Sequence, residues 1–206
     1  MTDDRTIHEL TQEYGMAASA ILDGYHGSID EIRDMRTPEA GGYLDQLTDE
    51  QRMALLREQK AEKVQDVRAQ AIEAAEAEHE QYERAVSARR TFLKTRLFSV
   101  TGPDGASALT RTVTASDAEL GALLDVALQA DNKDLARAVF LAAQRRGAGD
   151  LMGRYFDELD PEGRDMYAEW TEVPTNDALQ RQRESIPLMV RDPGSGWLTP
   201  PARVGS

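Results

Sequence analysis

No cysteine occurs in the 206 residues, which excludes disulfide staples and thiolate-bound zinc. Aromatic side chains are scarce at 6%, and apolar residues reach only 40% against 30% charged. That leaves little core material per residue. It predicts helices wet on one side, in an elongated chain or an assembly subunit. Basic residues are outnumbered, and the formal net charge is −13. Binding nucleic acid needs Lys and Arg to displace counterions from phosphate, so no direct nucleic-acid partner is expected, and anionic membranes are disfavoured on the same ground. No run approaches the ~20 apolar residues of a membrane helix. The opening Met1-Thr-Asp-Asp-Arg lacks a basic region followed by an apolar stretch, so synthesis and folding in the cytoplasm are expected.

Recognisable active-site chemistry is missing as well. There is neither a glycine-rich phosphate loop nor a Gly-x-Ser-x-Gly elbow. His79-Glu80-Gln81-Tyr82-Glu83 places His79 and Glu83 on one helix face, but the zincin pattern requires His where Glu83 stands, and the stretch reads as exposed and polar. Glu76-Ala77-Glu78-His79 supplies one Glu-x-x-His, whereas a di-iron bundle site needs two. No catalytic residue, cofactor or metal is assigned, and the chain is expected not to be an enzyme.

What is present is helical patterning. Ile7, Leu10, Tyr14, Ala17, Ile21 and Leu22 recur at helical spacing, with Gly24 as a stop. Ser28 and Glu31 read as the capping box of a second, short helix to residue 36. Thr48-Asp49-Glu50-Gln51 opens the strongest element, which runs without Pro or Gly to Phe98. As one helix it would span roughly 75 Å; a helical hairpin is the alternative. Its seam (Met53, Leu56, Val64, Val67, Ala71, Ala74, Tyr82, Ala85, Phe92, Leu93) steps by threes and fours as in a coiled coil. Lys60, Glu78 and Arg89 interrupt it, and its alanines bury little, so it needs a partner helix.

Leu97–Thr101 and Leu109–Thr114 are rich in β-branched residues and flank Gly102-Pro103-Asp104-Gly105, which predicts a β-hairpin or an extended loop near 97–114. A second capping box at Ser116/Glu119 opens a run of short helices, punctuated by Asp131-Asn132, Gly147 and Asp160-Pro161. These read as a small bundle or solenoid-like array. Thr175 caps a last helix to about Glu184. The expected organisation is N-terminal helices over 1–47, a long helix over 48–98, the hairpin or loop over 99–115, the bundle over 116–185 and an extended tail over 186–206. Trp197 on a Pro/Gly-rich tail has no local core to enter and reads as an anchor for a partner's pocket. The residues expected to bind partners are Phe98, Val100, Leu109 and Val113 of the hairpin, with Trp197, Leu198, Pro200 and Pro201 of the tail.

Three features carry a resemblance: the long Ala/Glu/Arg helix near Ala88-Arg89-Arg90, the array Leu120–Trp170 containing Leu-Ala-Arg-Ala-Val (135–139), and the Pro-containing end at Ile186-Pro187-Leu188. Together they resemble small helical proteins encoded among the virion-structure genes of actinobacterial tailed phages. That resemblance implies a component of the particle or of its assembly, without saying which. Bundle, long helix, hairpin and tail suit a subunit that grips neighbours, so the expected function is a multi-copy virion protein, capsid-associated or at the head-to-tail neck, with other copies of itself and major capsid, portal or neck proteins as partners. A scaffolding factor that leaves before maturation and a cytoplasmic helical adaptor are the alternatives.

Overall fold

A computed structural model describes residues 5–36 and 46–191. Among them are eight helices and no strand: α1 (Ile7–Asp34), α2 (Asp49–Phe98), α3 (Gly105–Val113), α4 (Asp117–Gln129), α5 (Lys133–Arg146), α6 (Gly149–Glu158), α7 (Pro161–Glu172) and α8 (Asn176–Met189). The chain divides into two compact units, Met1–His8 with Ala85–Val173 and Glu9–Arg84 with Pro174–Ser206. The first is called the array and the second the α1–α2 unit.

The helix starts follow their local chemistry. Thr48 and Gln51 exchange both capping bonds at the head of α2 (Gln51 N–H to Thr48 Oγ1, 3.3 Å; Thr48 N–H to Gln51 Oε1, 2.8 Å). Ser116 and Glu119 do the same for α4. Asn132, Asp160 and Thr175 accept an amide at the starts of α5, α7 and α8, and Pro161 occupies the first turn of α7. Gly147 ends α5 at φ 71°, the left-handed geometry that a Cβ would strain.

In the α1–α2 unit, Tyr25, Ile29 and Ile32 of α1 bury against Val64 and Ala71 of α2 and Val190 after α8. The break expected between residues 24 and 28 is absent. α1 runs unbroken through Gly24 and Gly27. Ser28 is no N-cap; its hydroxyl donates back to Gly24 O at 3.0 Å inside the helix. The buried stripe either side of these glycines outweighs their propensity cost of about 1 kcal/mol each.

α2 is one helix, not a hairpin. Its covered stripe is Leu56, Lys60, Val64, Val67, Ala71, Ala75, Glu78, Tyr82, Val86, Arg89, Leu93 and Leu97, each buried or half-buried. The steps run four, four, three, an 11-residue repeat of about 3.67 residues per turn, rather than the seven-residue repeat of a left-handed coiled coil. Met53, Ala74 and Phe92, expected in the seam, are exposed. All three expected interruptions are members of the stripe, and two of them have polar partners among the described residues. Lys60 Nζ donates to Arg33 O at 2.6 Å near the end of α1. Arg89 makes a bidentate pair with Glu169 at 2.8 and 2.7 Å, both side chains 11% exposed.

Two further expectations are corrected. The hairpin is replaced by a turn and helix α3: Gly105 N–H bonds Gly102 O and Ala108 N–H bonds Asp104 O. The threonine hydroxyls that favoured a strand are satisfied within the helix, Thr110 to Ala106 O and Thr112 to Leu109 O. Gly105, Ala108 and Thr112 form its buried face, a helical spacing. The tail expected from residue 186 instead begins as helix: α8 continues through Pro187 to Met189. Ile186 and Val190 are 1% exposed, Arg68 Nε donates to Val190 O and Tyr25 Oη to Arg191 O. This local packing and bonding outweigh the one amide that Pro187 lacks.

The array is built around α5, buried at Leu135, Ala136, Ala138–Ala143 and hence apolar almost all round. It packs on α3, α4 and α6. The scarce aromatics gather here. The Phe140 ring meets Tyr155, Phe156, Tyr167 and Phe98 at centroid distances of 4.8, 5.1, 5.9 and 6.2 Å, and Trp170 lies edge-on to Phe98 at 5.1 Å.

Candidate functional site

The residues expected to bind partners are not held together. Phe98, Val100 and Leu109 pack against the array core. Val113 is 62% exposed at the end of α3. Trp197, Leu198, Pro200 and Pro201 lie outside the described residues.

Val113 belongs to a surface groove between α3 and α5. Ala138 and Ala142 make its floor, Leu109, Thr112 and Leu141 its flanks, and Arg145 and Arg146 one end. Small residues let the two helices approach while leaving a shallow trough of about 80 Å³. Arg146 is held there by Asp117 at 3.1 Å and by Val113 O at 3.3 Å.

A second, more polar cavity of about 230 Å³ lies in the array where the end of α2, the following segment and the start of α5 meet α6 and α7. Asp160 organises it. Its carboxylate is 12% exposed, accepts Gly163 N–H as the cap of α7, and accepts two bonds from Arg96 at 3.1 and 3.2 Å. Arg137 Nη2 stands 3.6 Å from it, while Arg137 Nε reaches Tyr155 Oη and Nη1 reaches Ser99 O, both at 3.4 Å. Burial pushes the Tyr155 phenol up from 10.0; the Arg137 hydrogen bond and charge oppose this, Asp160 adds to it and Arg96 opposes it again. Lys133 and Asp134 from the first turn of α5 complete the charged lining. A Cβ on Gly102 would sit 1.7 Å from Asp134 Oδ2, so this carboxylate lies against a backbone only glycine leaves open.

Sequence reasoning did not find this cluster. Lys133 and Arg137 do share one face by their i,i+4 spacing, and that was the one local signal. Arg96 and Asp160 are brought together only by the fold.

His79 corrects the expectation of an exposed polar stretch: it is 1% exposed in the α1–α2 unit. Its Nε2 is 3.4 Å from Glu83 Oε1, a charge-pair distance, yet neither ring nitrogen has a hydrogen-bond partner, because distance without alignment does not make one. Tyr14 meets the imidazole edge-on at 5.5 Å and stacks on Tyr82 at 4.7 Å. Among the described residues no three potential ligands cluster for a metal, and no helix is long and apolar enough to cross a membrane.

Comparison of the chain with protein-family models, curated proteins and solved structures finds no match in any of the three.

Proposed function

We propose that the chain is a non-enzymatic structural protein of a tailed-phage virion, capsid-associated or at the head-to-tail neck, acting through contacts among many copies and with capsid, portal or neck proteins. The observation that carries the contact role is the α3–α5 groove, a trough of mixed polarity with exposed Val113 on its rim. Val126, Met16, Leu188 and Met189 add further large apolar side chains to the surface. Single exposed hydrophobics are ordinary, but a concave strip that combines aliphatic side chains with cations at one end is a shape that receives a partner's side chain. The phage assignment itself comes from the resemblance in the order of sequence parts.

Mass spectrometry of purified particles and procapsids tests the reading. A virion protein is recovered from mature particles at constant stoichiometry. Recovery from procapsids alone would favour a scaffolding factor. Absence from both overturns the particle reading. A helical adaptor is the second reading, in which the same groove of about 80 Å³ would receive one small side chain of a host peptide. Capture of one host protein, with no particle association, would support it instead.

A further inference from the structure

In a chain of net charge −13, the cavity centred on Asp160 runs against the trend. Three cations, Arg96, Lys133 and Arg137, line it with two carboxylates. Asp160 is shared by Arg96, Arg137 and the Gly163 amide, and the Asp134 carboxylate lies where a Cβ on Gly102 would sit, so three cations against two carboxylates leave the lining with one net positive charge. A guanidinium carries five N–H donors in a fixed fork. Asp160, Tyr155 and Ser99 use only part of the donors on Arg96 and Arg137. Their effect is to hold the two forks in place while leaving N–H groups unspent. The Lys133 ammonium has no partner among the described residues. Thr101 and Ser99 also line the cavity, and the positive end of the α5 dipole faces the same region through Lys133 and Asp134.

We propose that this cavity is an anion site for a tetrahedral phosphate group, either inorganic phosphate or the phosphate of a small monoester. Its volume of about 230 Å³ is below the roughly 300–1,000 Å³ of sites for drug-sized ligands and suits a compact anion. Arg96 and Arg137 supply the N–H groups that Asp160, Tyr155 and Ser99 leave over, and Lys133 supplies the mobile point charge. Asp160 is a positioning residue: it orients the guanidiniums and does not touch the ligand.

The test is isothermal titration of the full chain with inorganic phosphate, and in parallel with glycerol phosphate, at constant ionic strength. Saturable one-to-one binding is expected, tighter for the monoester if the natural ligand carries an organic group and tighter for phosphate if it does not. Lys133→Gln, at an exposed position, keeps the unfolding midpoint in chloride and weakens binding about tenfold, the equivalent of about 1.4 kcal/mol. Arg111→Gln, exposed and in neither the cavity nor the groove, removes one surface charge and leaves the affinity unchanged. Absence of saturable heat with either probe, or equal weakening in the two variants, overturns the site. Neither result touches the particle reading, which stands or falls on recovery from virions.

Discussion

His79 is enclosed by Tyr14 and Tyr82 with two unbonded ring nitrogens. A buried polar group without a partner costs about 1–3 kcal/mol, and an apolar replacement of similar volume removes that cost. His79→Leu is expected to raise the urea midpoint of the α1–α2 unit by the equivalent of about 1 kcal/mol. A lowered midpoint would mean that the 3.4 Å approach to Glu83 contributes more than its geometry indicates. Tyr155 gives the array a pH dependence of known sign. Its phenol is raised from 10.0, so the folded state holds the proton more tightly than the unfolded chain. Its stabilising contribution is complete below the unfolded value and is lost as pH rises through the folded one. Unfolding midpoints should therefore fall as pH climbs above about 10. The fall should be shallower in Tyr155→Phe, which gives up only two long bonds of 3.4 and 3.5 Å. Tyr14, raised by burial and then by Tyr82, leaves a residual slope in that variant.

Elements were legible where their ends are chemically local. The boxes at Thr48/Gln51 and Ser116/Glu119, the Asp160-Pro161 start and the Gly147 stop each use residues within one turn, and each lies where its spacing indicates. Legibility failed where burial overrode local preference. Gly24 reads as a stop until Tyr25 and Ile29 are seen packed on Val64, and the threonines of α3 read as a strand until Ala108 and Thr112 are seen facing α5. The cationic cavity was out of reach for a different reason. Arg96 and Asp160 are 64 residues apart, and no spacing rule links them. The glycines of α1 permit a direct check. A Cβ at Gly24 or Gly27 meets nothing within 4 Å, and both positions are exposed. Gly24→Ala should stabilise the α1–α2 unit by about 1 kcal/mol, the difference in helix propensity. A destabilised variant would show that α1 must bend or be approached closely at that point.

For the whole molecule, the central physical question is which surface forms contacts, and charge narrows the answer. Copies carrying −13 repel one another at long range, so association requires a short-range apolar contact with local cations to offset that field. The α3–α5 groove has both, in Val113, Leu109 and Leu141 and in Arg145 and Arg146. Val113→Arg fills the rim with a charge yet suits the C-terminal turn of α3, where a cation interacts favourably with the dipole. Val113 is 62% exposed, so the unfolding midpoint should move by less than about 0.5 kcal/mol. Recovery of the protein in particles, measured against wild type by quantitative mass spectrometry, should fall several-fold. If the variant is incorporated as well as wild type while its fold is intact, the groove is not the contact surface. The exposed apolar end of α8, Leu188 and Met189, then becomes the surface to alter, because adjacent large apolar side chains lie open there among the described residues.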